Sequence, residues 1–295
     1  MINKLHQHFQ NSMISDSLPH PLLDSVLWLR EKKGTQWLGI PKEELQEGQY
    51  ELLKSLFEIV ENNWQHGKSE TAKAWLEYLF SDGPLPRSVT DNTRIIQIYT
   101  KSSFDSNEFC CALEAFFQGA TVIWIDRQHA VIVEAADFLF NAEEELYSIA
   151  TALENDFYVK TFLFAGKVHK HSPSLKSLFL LERDLFHTAL RHHPDERVFS
   201  LEKAVPAAVA DNLPQGLKQI VSGIFTNIFE EDPEMRKTLL VFLQSGSNVS
   251  LAAKKLYIHR NTLQYRLEKF SDRTGISLKD FNSSFTIYLG CLLVR

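Results

Sequence analysis

Nine residues near the C-terminus, HRNTLQYRL (His259–Leu267), mix side chains that hydrogen-bond to nucleic acid with apolar ones at helical spacing. Stepping about 100° per residue from Leu263, Leu267 and Phe270 fall within about 40° of it, which defines a core face. Asn261, Thr262, Gln264, Tyr265, Glu268 and Lys269 take the opposite side. Amides, a hydroxyl, a phenol and a base are the groups that read base edges and phosphates. Arg260 sits in the first turn, the part of a recognition helix that enters the major groove first. Arg266 lies only about 60° from the core face, so a structural ion pair or a phosphate contact suits it better than base reading.

The segment before it completes a helix pair. Asn248 is placed to cap a short helix from Val249 to Leu256, Tyr257–Ile258 makes the turn, and the second helix runs from about Arg260 to Ser271. Ala252 and Ala253 stand where a crossing helix must come close. Leu256, Ile258, Leu263 and Leu267 fill the angle between the two axes, the arrangement of a helix-turn-helix. Lys254 and Lys255, on the helix that crosses the backbone, are natural phosphate neutralisers, and the N–H groups at the start of the second helix add an anion site. With His259 at the turn, the expected DNA-binding set is Lys254, Lys255, His259, Arg260, Asn261, Thr262, Gln264, Tyr265, Arg266 and Lys269. The plainer alternative is a helical hairpin with a polar outer face.

Charge distribution favours the first reading. The chain carries a net charge of −6, yet residues 233–295 hold ten Lys/Arg against four Asp/Glu. A basic segment on an otherwise acidic chain suits one domain that approaches a polyanion while the rest avoids it.

The elements that must position this pair span 295 residues, enough for two or three domains. Residues 1–82 read as a helical N-terminal region. In it Leu22, Leu23, Val26, Leu27 and Leu29 share one face, and Leu52, Leu53, Leu56, Phe57 and Val60 repeat the spacing. A third helix, SETAKAWLEYLF, stops at the breaker SDGPLPRS. From 90 to 205 the pattern is strand, helix, hairpin, helix, strand, helix, which predicts one α+β domain. Its last helix has Ser172 as N-cap and Pro173 at the first helical position, and VFSL adds a short strand. VPAAVADNLPQG reads as a second linker. Residues 213–295 are helical: Asp232 caps a helix opened by Pro233 and stopped at Gly246, the helix pair follows, Gly275 closes it, and a very apolar helix ends the chain. The expected fold class is multidomain α+β with an all-α C-terminal domain from about 233 to 295.

Other chemistry finds little support. AGKVHKH lacks the glycine-rich run of a phosphate loop. His169, His171, His192 and His193 follow no common zinc spacing and are expected as solvated loop histidines. The three acids in NAEEELY sit at a helix start, where the macrodipole explains them. Cys110, Cys111 and Cys291 form no disulfide or zinc pattern and are expected as reduced, mostly buried thiols in a cytoplasmic protein. No apolar run approaches the roughly 20 residues of a membrane span. No catalytic residues, metal or cofactor are expected.

The segment LLVFLQSGSNVSLAAKKLYIHRNTLQYRLEKFSDRTGISLKD resembles the C-terminal DNA-binding domain of PucR/CdaR-type bacterial transcriptional regulators, with HRNT–QYRL and TGISL carrying the likeness. The expected partner is double-stranded DNA, and because a lone helix-turn-helix buries little surface a homodimer or higher even-numbered oligomer is expected on it; the resemblance adds control by a small-molecule effector. It also implies a GGDEF-like middle domain. The corresponding hairpin turn, IDRQHAV, has no Gly-Gly and no acidic pair, so a non-catalytic scaffold is expected there. LKQIVSGIFTNIF and FTIYLGCLLV are the helices expected at a subunit interface or in the core. The alternative reading is a cyclic-dinucleotide or metabolite-binding signalling protein whose helical C-terminus mediates protein interaction.

Overall fold

The computed structural model describes residues 1–16, 26–32, 34–60, 69–87, 90–102, 107–135 and 143–294. The chain divides into two compact units, Met1–Glu182 and Arg183–Arg295.

The first unit opens with α1 (Ile2–His8), β1 (Met13–Ser15), β2 (Val26–Arg30) and β3 (Trp37–Pro41), followed by a short 3₁₀ turn, α2 (Glu47–Leu56) and β4 (Glu58–Val60). The strands form an antiparallel sheet in the order β1-β3-β2-β4. This corrects the helical expectation for residues 1–82. Leu27, Trp28 and Leu29 are all buried, so the run faces apolar surroundings on both sides of the sheet, and a short continuous apolar run does not distinguish strand from helix by periodicity. Gly39 pairs with Trp28, and a Cβ there would lie 2.7 Å from the indole ring, so this sheet position requires glycine. Leu53 and Phe57 enter the local core, whereas Leu52 and Leu56 are exposed and Val60 belongs to β4, which narrows the expected apolar face. Leu22 and Leu23 lie outside the described residues.

The third expected helix is present as α3 (Glu70–Phe80), with the Ser69 hydroxyl accepting from the Ala72 amide at 3.1 Å. It packs through Trp75 and Leu79 on Ile95, Ile123 and Val131 of a second sheet. That sheet is built in the predicted sequence: β5 (Asn92–Thr100), α4 (Asn107–Phe116), β6 (Thr121–Trp124), β7 (His129–Ala135), α5 (Glu143–Phe157), β8 (Thr161–Lys170) and α6 (Leu175–His192). The strands run β6-β7-β5-β8, all antiparallel, with Trp124 opposite Ala130 across the hairpin. α6 begins at Leu175, two residues after Pro173, with the Leu175 amide donating to the Ser172 carbonyl.

Of the four histidines expected in solvent, three are hydrogen-bonded and the fourth is half-buried. His169 Nε2 lies 3.0 Å from the buried Glu182 carboxylate, and His171 bridges Thr93 and the Pro86 carbonyl. His192 is buried against Asp211 at 2.7 Å, and burial pushes the half-buried His193 below the usual histidine range. Cys110 and Cys291 are buried thiols pushed up to about 12 by that burial, while Cys111 is exposed.

The second unit continues with β9 (Val198–Ser200), α7 (Leu201–Asn212), α8 (Gln215–Glu231), α9 (Pro233–Gln244), α10 (Val249–Lys255), α11 (Arg260–Thr274) and α12 (Phe281–Leu293). The stretch expected as a linker is therefore helical. Pro206 sits inside α7 and withholds one amide from the helix ladder, but Ala204, Ala207 and Ala210 are buried along one side, so packing outweighs the breaker. Phe225, Phe229, Leu239, Phe242, Leu263, Leu267, Phe270 and Ile287 form the core. α12 contributes Ile287, Leu289, Cys291 and Leu292 to the interior, as expected of a core helix. Gly290 has the Phe225 ring where its Cβ would stand. Gly290→Ala should therefore destabilise the protein by about 1–3 kcal/mol through overpacking, read as a lower urea midpoint at unchanged slope.

Candidate nucleic-acid interface

Local backbone chemistry sets the helix pair. α9 ends in two residues with positive φ, Gly246 (64°) and Ser247 (58°), which turn the chain sharply. Asn248 then caps α10, its Oδ1 accepting from the Leu251 amide at 3.0 Å. Ala252 and Ala253 are buried, as the crossing of two helices at short range demands. The turn is made by Tyr257 at φ 56°, a left-handed conformation that a β-carbon disfavours. Amides of Leu256 and Ile258 close it onto the Ala252 and Ala253 carbonyls at 2.9 and 3.0 Å. His259 caps α11, with Nδ1 accepting from the Asn261 amide at 3.2 Å. That role requires a neutral ring with its proton on Nε2. Gly275, at φ 69°, ends the helix three residues beyond the expected stop.

α11 divides as its spacing predicts. Leu263, Leu267 and Phe270 are buried, and Phe270 stacks on Phe225 with ring centroids 6.1 Å apart. Arg260, Asn261, Thr262, Gln264, Glu268 and Lys269 are exposed, and Tyr265 is 66% exposed. Gln264 donates to Glu268 at 3.2 Å, one turn on. Lys254 and Lys255 are exposed at the C-terminal end of α10, where they also oppose the negative end of its dipole. Neither α10 nor α11 has an acid in its first turn, so the helix N-termini keep their positive character.

Nine of the ten expected side chains thus lie on the solvent side of this pair or at its turn. Arg266 is the exception. It is half-buried, and its Nη1 donates to the Thr238 hydroxyl of α9 at 3.3 Å, while that hydroxyl donates to the Glu234 carbonyl at 2.8 Å. The arginine holds α11 against α9, in keeping with its place near the core face. Two further bonds fix the frame: Arg273 to Glu231 at 2.7 Å, and Arg236 Nε to the Cys291 carbonyl at 2.8 Å.

Two side chains beside this face lie outside the expected set, although Tyr257 is expected at the turn. Tyr257, 96% exposed at the tip of the turn, gives no propensity signal, because aromatic residues are not favoured in the left-handed region. Lys279 lines a groove of about 1110 Å³ together with Arg260 and Gln264. It follows the helix-ending Gly275 by four residues, and only the fold of that loop brings it alongside.

This geometry is that of a helix-turn-helix domain. Residues 235–293 match the PucR C-terminal helix-turn-helix domain. Over 286 residues the chain is 30% identical to the Bacillus subtilis (strain 168) protein YxkF, covering 96% of both chains. In the C-terminal part it is 47% identical over 60 residues to the DNA-binding transcriptional activator AdeR of the same organism, covering 20% of this chain and 14% of AdeR. It is 41% identical over 66 residues to the Bacillus subtilis purine catabolism regulatory protein, covering 22% and 12%. The chain belongs to the YxkF family, and its residues 235–293 form a helix-turn-helix domain of the PucR C-terminal type. Among the described residues no helix is long and apolar enough to cross a membrane.

The cap offers a local check. His259→Ala removes the acceptor for the Asn261 amide and should cost about 1 kcal/mol, whereas His259→Asn should restore most of it. Urea denaturation of the two variants reads the difference.

Proposed function

We propose that α11 enters the major groove with Arg260, Asn261, Thr262, Gln264 and Tyr265 on base edges. Lys254, Lys255 and Lys269 neutralise phosphates, and His259, with its proton on Nε2, donates to a phosphate oxygen while its other nitrogen caps the helix. Arg266 acts by positioning α11 rather than by touching DNA. The observation that carries this reading is the division of one helix: Leu263, Leu267 and Phe270 buried, and the amide, hydroxyl and phenol side chains exposed on the other side.

A single helix-turn-helix buries little surface, so the working form is a homodimer reading two half-sites about 34 Å apart. The middle domain serves as a non-catalytic, GGDEF-like scaffold. The one acid in its hairpin turn, Asp126, supports this: its carboxylate accepts from the Gln128 and His129 amides at 2.6 and 2.8 Å and pairs with the His129 ring at 3.0 Å. A carboxylate so engaged holds the turn rather than a metal-bound phosphate. A small-molecule effector bound by the first unit would adjust DNA affinity, and the protein acts in the cytoplasm.

The double variant Arg260→Ala/Asn261→Ala should lose sequence-specific binding while keeping its fold. Specific affinity equal to wild type in a gel-shift titration would refute the assignment. Lys254→Ala should weaken specific and non-specific duplexes alike and reduce the salt slope of log K by about one.

A further inference from the structure

α8 is apolar on two sides. Val221, Phe225, Ile228 and Phe229 are buried in the core of the second unit. On its outer side Leu217, Ile220 and Ile224 are 44%, 66% and 39% exposed. Gly216, Gly223 and Asn227 are exposed with them, and all six positions fall within about 60° of Ile220 on the helix.

Three features of this stripe point to the same occupant. First, it is neutral. Between Gln215 and Phe229 the one charged residue is Lys218, and its ammonium is turned to the Asp211 carbonyl at 2.6 Å. In a two-fold contact each side chain meets the same surface of its partner, so a charged stripe would oppose like charges; this one does not. Second, Gly223 lies in the middle of a 17-residue helix with nothing within 4 Å of where its Cβ would be. No turn or positive φ calls for glycine there, and glycine weakens a helix relative to alanine. It does leave a notch into which a second helix can settle. Third, Phe225, next to Ile224, stacks on Phe270 of the recognition helix, so a contact made on the outer side of α8 is carried by the same rigid core that holds α11.

We infer that the α8 stripe of Leu217, Ile220, Gly223 and Ile224 is the seam through which two copies of this chain pair. The inference rests on the proposed dimeric DNA reading and says where that dimer forms.

Sedimentation velocity of the full chain over a concentration series, without DNA, tests it. Wild type should sediment as a dimer. Ile220→Asp, placed on a largely exposed position, should weaken dimerisation at least about thirtyfold, as expected for a central interface side chain. Gly223→Gln is neutral and a better helix former, so it should cost an isolated chain nothing and still weaken the dimer by filling the notch. Far-UV circular dichroism and binding to a duplex with one half-site should stay at wild-type values for both. If Ile220→Asp fails to fold, Gly223→Gln decides. A wild type that remains monomeric, or two folded variants that pair as tightly as wild type, would overturn the seam. Loss of the dimer in a protein that binds no duplex at all would uphold the seam and reject the DNA reading instead.

Discussion

The Phe225 ring fills the space that any side chain at position 290 would need, and it stacks on Phe270 at 6.1 Å. Through that one side chain α8, α12 and α11 are packed against each other without room for adjustment. Protein interiors are dense enough that a shift of one such ring is passed to its neighbours rather than absorbed. The orientation of the recognition helix is therefore set from behind, by Phe225 and by the Arg266–Thr238 bond, and not by the side chains that face outward. This leaves the outer residues open to change, while the inner ones are held by volume.

The same economy appears in the first unit, where buried polar groups are used to settle irregularities of the sheet. The β5–β8 register slips between Arg94 and Ile96. At that point Glu182 reaches in from α6, and its Oε1 accepts from the Lys167 amide at 2.9 Å and meets His169 at 3.0 Å. A bulge leaves a backbone amide without its ladder partner, and an unmade buried hydrogen bond costs free energy. Gly166 is required alongside, because a Cβ there would run into the Ile95 carbonyl and the Glu182 carboxylate. The histidines of AGKVHKH thus belong to the structure of the sheet rather than to a site.

How legible all this was depends on how many residues carried each signal. α11 was readable because Leu263, Leu267 and Phe270 repeat at helical spacing and Gly275 closes the pattern. The hairpin of β6 and β7 was readable because β-branched runs flank a polar turn. β2 was not, because Leu27, Trp28 and Leu29 are all buried, so the run lacks the apolar–polar alternation of a strand and its leucines fit a helical spacing as well. α7 was hidden by Pro206, since the alanines that bury its other side are weak markers of a core. Of the interface, the outward set followed from the helix period alone. The left-handed Tyr257 and the approach of Lys279 are consequences of how segments meet, which no local pattern records.

The side chains that cap α10, α11 and α12 differ in charge. Carboxylates and small hydroxyl or amide side chains are all good caps in isolation. α12 uses Asp280, whose Oδ1 accepts from the Ser283 amide at 2.9 Å and whose carboxyl is held below the usual range by that bond. α9 starts after Asp232 and has Glu234 in its first turn. α10 and α11, the pair on the proposed DNA face, are capped by Asn248 and His259 and have no acid in their first turns. An aspartate at either place would satisfy the same amides, but it would set a fixed negative charge at the helix end that a phosphate must approach. A neutral amide and a neutral imidazole satisfy the backbone and leave the dipole unopposed. A cap without negative charge at α10 and α11 is what the proposed DNA contact would call for, since the backbone amides alone would be served as well by aspartate.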